Sequence, residues 1–394
     1  MDDLNRPYRR DRSSALAAIF NANLTAFQVA LGALMPIVRA DLGIGLTLAS
    51  LHFTINAGCG MLSSYLTPVV AGRIGRKPTI VISLTMVIVA YMMFVLAPSV
   101  WFTLATSVLL GLTGSFGLIL TQSELMDNHR YHRATATAEL TLFVSIFMFL
   151  TTITAGPLVE LFASWRLVLF VPILALLPAY LILRPMQFSD RIVGAARRST
   201  GVMSPLAWLF CALIIAQTGF EWCYGYLGAE FMNKAGGLSK AAAAASLSLY
   251  YGGLVTGRFL LLPAVRRFDP TRLLIVSFGT ALTGFLLLAA GPIVGIKLVG
   301  LAVSGLGIAF AFPMIATLAA TSFPSATDWI IGRIYTFGGL AIAVAPFVIG
   351  SLGDAVGIGI SFWVIGLLAA LGLGLTPLLP ILQRMTSPPG PEAV

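Results

Sequence analysis

The chain has 394 residues, 58% of them apolar and only 10% charged, with a net charge of +9 and a mean hydropathy of +0.94. At about 150 residues per domain this length suits two or three soluble domains, but so few charges do not cover a water-facing surface. Disorder, collagen-like repeats and sustained coiled coil fail as well, because the apolar fraction is high, the 39 Gly have no period of three and heptads are lacking.

What remains is a polytopic membrane protein. Pro and Gly divide the chain into twelve apolar runs, each long enough at about 1.5 Å per residue to cross a ~30 Å hydrocarbon layer. In chain order the expected spans are Ala15 to Val38, Leu46 to Ala71, Thr79 to Leu96, Thr103 to Leu120, Ala134 to Val159 and Leu167 to Leu183. Six more follow: Pro205 to Leu227, Ala242 to Leu262, Leu273 to Ala290, Ile293 to Ala319, Trp329 to Ile349 and Ile360 to Leu382. The alternating segments of a membrane β-barrel are lacking, so every span reads as helix. The first run is too long for a signal-peptide core and is followed by further spans, so it reads as a retained first helix.

Basic residues set the orientation. With the N-terminus inside, 19 of the 24 Lys and Arg fall on the cytoplasmic side, among them Arg6, Arg9, Arg10, Arg12, Arg73, Arg76, Lys77, Arg191, Arg197 and Arg198. Both termini are expected to be cytoplasmic, in the plasma membrane. The net charge is then topological and does not imply nucleic-acid binding. Cys59, Cys211 and Cys223 are an odd number within spans, which supports neither a disulfide framework nor a zinc site. Asn23-Leu24-Thr25 has the glycosylation pattern but lies inside the first span.

The longest polar stretch between spans, 184–204, divides the chain into expected bundles 1–183 and 205–394 of six helices each. Landmarks recur across this linker: Gly75-Arg76-Lys77-Pro78 corresponds to Arg267-Phe268-Asp269-Pro270, 192 positions on, and Ala155-Gly156-Pro157 to Val344-Ala345-Pro346, 189 positions on. Two landmarks with nearly one offset indicate a duplicated unit.

The stretch Gly72-Arg73-Ile74-Gly75-Arg76-Lys77 resembles the hallmark loop of the major facilitator superfamily, and Trp165-Arg166 resembles another of its signatures. Pro36 to Gly43 closing helix 1, and Gly305-Leu306-Gly307 with Phe312-Pro313 in helix 10, are similar to the same family. The resemblance implies an all-α membrane protein of twelve helices in two pseudo-symmetric six-helix bundles, with a solute site between them and alternating access. It also implies a monomer; with no P-loop and no metal-ligand set in the sequence, no cofactor or metal is expected. Helix 7 from Gln217 to Tyr226 and helix 8 from Gly253 to Arg258 resemble the fucose-permease-like branch. There are departures: Gly72 stands where the hallmark loop carries an acid, helix 4 lacks the arginine of many drug exchangers, and helix 5 keeps only Gly156-Pro157 of the antiporter motif.

Charges inside hydrocarbon cost ~2.5 to 3.5 kcal/mol on insertion scales, so each calls for a partner, a wet cavity or a transport role. Glu139 in helix 5 and Arg258 in helix 8 lie near the cytoplasmic ends of helices that the resemblance places face to face. They are expected to pair as an inter-bundle gate, with Arg73, Arg76 and Lys77 of the hallmark loop as further gating residues. Snorkelling to the interface is the plainer alternative. Glu221, deep in helix 7, is the leading proton-coupling candidate, with Glu139 second; a hydrogen bond from Gln217 is the competing, structural role.

A solute site needs neutral polar and aromatic groups at mid-depth. The candidates are Asn23, Gln28, His52, Asn56, Trp222, Tyr224, Tyr250, Tyr251 and Tyr335, with Asn21 also in the first span and Ser115 in the fourth. Asn23 and Gln28, five residues apart, do not share one helix face, so one of them is left for bonding a neighbouring helix. His52 and Asn56 do share a face. His129 and His132 beside Asp127 form a weak metal-like cluster that reads instead as a solvated hinge loop. These features favour a secondary transporter of a small sugar-like or other neutral polar or amphipathic solute, proton-coupled, over a proton-driven exporter of drugs or amphipathic metabolites. A membrane enzyme or a channel ranks lower, with neither a nucleophile and base pair nor a filter-like loop in the sequence.

Overall fold

The computed structural model describes residues 8–188, 203–324 and 326–386. Arg6, Arg191, Arg197 and Arg198, with most of the expected linker, lie outside the described residues. The first half contributes α1 (Arg12–Leu42), α2 (Leu46–Ile74), α3 (Arg76–Val95), α4 (Val100–Asn128), α5 (Arg133–Phe162) and α6 (Trp165–Leu183). The second contributes α7 (Pro205–Lys234), α8 (Lys240–Ala264), α9 (Pro270–Ala290), α10 (Val294–Ile308), α11 (Ala311–Ser322), α12 (Thr327–Val356), α13 (Ile358–Ser361), α14 (Trp363–Leu375) and α15 (Leu378–Thr386).

Among the described residues ten stretches are long and apolar enough to cross a membrane, and the other two expected spans correspond to α2 and α8, of 29 and 25 residues. The α10 and α11 pair is one such stretch, Val294–Ser322, interrupted at Ala309 and Phe310. Pro313 explains the interruption. It lacks an N–H, so it sits in the first turn of α11, where no intrahelical donor is needed. Helices α2, α5 and α12 run through Pro68, Pro157 and Pro346.

Local chemistry fixes the ends. Asp11 caps α1 through a reciprocal pair with Ser14, and Asp269 caps α9 ahead of Pro270. Gly75 joins α2 to α3 at φ 90°, a backbone state open to glycine alone at little cost.

Within the first bundle α1 packs on α4, α5 and α6, and α4 on α2 and α3; within the second, α8 and α9 flank α10, and α14 packs on α7 and α9. The bundles meet through α1 with α7, α2 with α12, and α5 with α8. Side chains give way to backbone at these crossings: a Cβ on Gly32 of α1 would collide with the Gly225 carbonyl of α7.

Candidate functional site

The deepest charges form one network. Arg258 on α8 lies with Nη2 3.7 Å from Oε1 of Glu221 on α7, while Oε2 of Glu221 accepts a 2.6 Å hydrogen bond from Gln217. The Nη1 of Arg258 crosses to the other bundle, donating to the Thr141 carbonyl at 3.1 Å and to the Ser145 hydroxyl. Tyr250 Oη donates to the Glu221 carbonyl at 3.5 Å.

The expected Glu139 to Arg258 pair is not formed. Glu139 instead accepts hydrogen bonds from Arg10 and, at 2.9 Å, from Tyr8 of the segment preceding α1. Depth explains the exchange. Glu139 is six residues into α5 and Ser145 twelve, roughly 9 Å against 18 Å along the helix, and the long side chain of Arg258 reaches toward the deeper partners. The same N-terminal segment covers His129, whose ring nitrogens lie 3.1 Å from the Leu125 carbonyl and 3.2 Å from the Arg9 carbonyl. His129 is therefore buried, not part of a solvated hinge, and among the described residues no group of His, Cys, Asp and Glu is placed to hold a metal.

Of the neutral candidates, Gln28, Asn56 and Trp222 converge around Tyr226 at the α1–α2–α7 junction. Gln28 donates to Asn56 at 2.8 Å and accepts from Tyr226 Oη at 3.4 Å. Trp222 lies 5.4 Å from the Tyr226 ring, which stacks on Phe53 at 3.7 Å. Gln28, His52 and Asn56 line a cavity of about 20 Å³, room for one water.

The remaining candidates are placed otherwise. Asn23 donates to the Pro172 carbonyl of α6 at 2.7 Å, so it is the packing member of the Asn23 and Gln28 pair. Buried His52 is held between the Leu48 carbonyl at 2.9 Å and the Thr103 hydroxyl at 2.7 Å, tying α2 to α4. Tyr224 and Tyr250 stack at 4.7 Å inside the second bundle, with Tyr224 on the Ser304 hydroxyl at 2.9 Å. Tyr251 points its hydroxyl at the backbone of Gly225. Tyr335 is 60% exposed and stands in the wall of a separate cavity.

The two ends of the molecule differ. At the end where α1 begins, a cavity of about 540 Å³ opens between α2, α4 and α12, with Thr67, Pro68, Arg76, Ser123, Met126 and Tyr335 in its wall. Buried Arg76 reaches Glu124 at 3.1 Å and Asp127 at 2.9 Å on α4, and Lys77 donates to the carbonyls of Arg184 and Met186 at 2.8 and 2.9 Å. These contacts brace the first bundle from within, and Arg73 is exposed. At the other end the bundles are joined. Arg39 of α1 pairs with buried Glu230 of α7, and Asp354 of α12 accepts from the Leu46 and Thr47 amides of α2 at 2.7 and 2.8 Å. The Thr54 hydroxyl also donates across, to the Ala343 carbonyl at 2.6 Å. Sequence reasoning missed Glu230 and Asp354; their signal was an acid within reach of a basic loop and of a helix start that lacks its own capping side chain.

Residues 15–220 match the family model described as Major Facilitator Superfamily. The chain belongs to the major facilitator superfamily. A curated relative, the uncharacterized transporter y4wD of Sinorhizobium fredii (strain NBRC 101917 / NGR234), is 25% identical over 188 residues, which is 46% of this chain and 48% of the relative. The match thus spans about half of that relative's length. Among solved structures, a bacterial homologue of the human lysosomal transporter Spinster, in an inward-facing and occupied conformation, aligns with TM-score 0.77 at 15% identity over 97% of this chain and 98% of its own. The nucleoside transporter NupG, in a mutant form, aligns with TM-score 0.74 at 12% identity over 94% of this chain and 98% of its own. At such identities these likenesses carry the fold alone, two helical bundles; the family match is what places this multi-pass membrane chain among transporters rather than enzymes.

Proposed function

We propose that this chain is a secondary active transporter of a small organic solute, working by alternating access between bundles 1–183 and 205–394, with 184–204 as their linker. The observation that carries the reading is the difference between the two ends. One is joined by Asp354 on α2 and by Arg39 on Glu230; the other is open in a cavity of about 540 Å³. With both termini cytoplasmic in the plasma membrane, as the basic residues favour, this is an inward-facing conformation.

Glu221 is the proposed proton site. Its partner Arg258 also bonds α5, so a proton on Glu221 releases a contact that bears on the bundle interface. Gln28, Asn56, Trp222 and Tyr226 support a polar solute, sugar-like in its hydrogen-bonding groups. The apolar wall of the open cavity, with Pro68, Ile119, Leu120 and Met126, favours a second reading, export of an amphipathic compound. The chain is proposed to act as a monomer.

Reconstituted in liposomes with an imposed pH gradient, the wild-type protein is expected to concentrate its solute. Glu221→Gln is expected to retain equilibrium counterflow and lose accumulation. Undiminished pH-driven accumulation by Glu221→Gln removes the proton role, and non-saturable flux removes the carrier reading.

A further inference from the structure

Arg258 differs from the other arginines that bridge helices. Arg39, Arg76 and Arg166 each place a carboxylate within hydrogen-bond range, Arg76 at 2.9 and 3.1 Å and Arg166 at 2.7 Å from Asp41. Glu221 stands off from Arg258 at 3.7 Å, drawn instead to Gln217 at 2.6 Å. A charge-assisted N–H···O bond closes to about 2.7–2.9 Å, so this pair is loose.

The guanidinium is nevertheless held. Its Nη1 is anchored on α5 by the Thr141 carbonyl and the Ser145 hydroxyl, which leaves Nε and Nη2 with no hydrogen-bond acceptor among the described residues. Those two donors lie side by side in a planar fork, the geometry that takes both oxygens of one carboxylate. Neither side chain is fully buried, 19% of Arg258 and 14% of Glu221 being exposed. Trp222 follows Glu221 on α7 and lies 5.4 Å from the Tyr226 ring, whose hydroxyl meets Gln28.

We propose that the Nε and Nη2 edge of Arg258 binds the carboxylate of the transported solute, which makes the substrate class a small organic monocarboxylate. The inference rests on the reading of Glu221 and Arg258 as the coupling pair. A proton added to Glu221 removes the competing negative charge; the solute enters as its anion and takes up the charge of Arg258, so the loaded site is as neutral as the empty one. No covalent bond forms or breaks. The groups facing Glu221 are Arg258, Tyr250 and Tyr251 on α8 and Gln217 on α7, while α5 presents Ser145 and the Thr141 carbonyl to Arg258.

The test is thermal unfolding of the full chain in lipid nanodiscs with lactate, gluconate and benzoate, each set against its uncharged amide. At least one acid is expected to raise the Tm by about 3 °C or more near saturation while its amide does not. Arg258→Gln is expected to lose that response, and Glu221→Gln to keep it while losing its dependence on pH. Should Arg258→Gln not fold, Arg258→Lys keeps the charge without the fork and is expected to bind the acid about tenfold more weakly or worse. Equal responses to acids and amides, no response to any acid, or an acid response that survives in Arg258→Gln overturns the proposal. Saturable counterflow of an amide, with no acid response, leaves the carrier reading standing while this inference falls.

Discussion

The carboxylate of Asp354 sits on the start of α2, its Oδ1 2.7 Å from the Leu46 amide, although the two residues belong to different bundles. Oδ2 takes the Thr47 amide at 2.8 Å and the Thr47 hydroxyl at 2.7 Å. The residue in the capping position, Gly45, has no side chain to offer, so the second bundle supplies the cap of a helix in the first. Asp354→Asn is expected to weaken this seal by about 0.5–1 kcal/mol, the lower part of the capping range because the site is exposed. Spin labels across this end should report a several-fold larger open population, and an unchanged distance distribution would count against the latch.

Glu230 has 1% of its side chain exposed and Arg39 has 17%, so their pair is shielded from water. Removing one partner leaves the other charge buried alone, which costs about 3–5 kcal/mol, whereas replacing both by apolar residues is close to neutral. Glu230→Gln is therefore expected to lower the Tm sharply, and Arg39→Met with Glu230→Leu to recover most of it. Additive losses in the double variant would show that the two side chains act independently.

A side chain at Gly32 meets the Gly225 carbonyl, backbone that has no rotamer with which to yield. Gly32→Val is expected to disfavour the conformation in which α1 and α7 touch. Cysteine-accessibility labelling near Leu46 should rise in this variant, and transport should fall at least about tenfold, since one state of the cycle is lost. Wild-type transport by Gly32→Val would mean that this close approach is incidental.

Helix identity and order were readable because the apolar runs are long and Pro and Gly punctuate them; α1 extends a few residues beyond Ala15 to Val38 at each end. Glu221 was readable as a lone acid in an apolar run. Its partner was not, because where Arg258 ends depends on the reach and direction of its side chain rather than on its place in the sequence. The partner of Glu139 was hidden for another reason. Tyr8 and Arg10 precede the first span, and nothing in their local pattern shows that the segment folds back over α5. The aromatic residues of α7 divide on helix face: the candidate Trp222 packs on Tyr226, which was not among the candidates and reaches Gln28 of α1, while the candidate Tyr224 turns into its own bundle.

Asp11 links that N-terminal segment to α1. Burial pushes its carboxyl up, but hydrogen bonds from the Ser13 hydroxyl at 2.6 Å and the Ser14 amide at 2.9 Å outweigh burial and hold it below the ordinary carboxylate range. A carboxyl lowered in the folded state contributes stability above its unfolded value and loses it as pH falls through the folded one. Protection of the amides at the start of α1, taken relative to their intrinsic exchange rates, is thus expected to fall on acidification below the usual carboxylate range, and Asp11→Asn to show reduced protection at neutral pH. Wild-type protection that does not change with pH would contradict the assignment.

The two ends are proposed to open in alternation. With Cys59, Cys211 and Cys223 replaced, one variant carries Thr47→Cys with Val356→Cys at the sealed end, and another carries Gly72→Cys with Tyr335→Cys across the open cavity. Crosslinking of the two pairs is expected to be anticorrelated as pH and solute are varied, each pair closing when the other opens. Both pairs crosslinking together under every condition, or the first pair never separating during active transport, would contradict it.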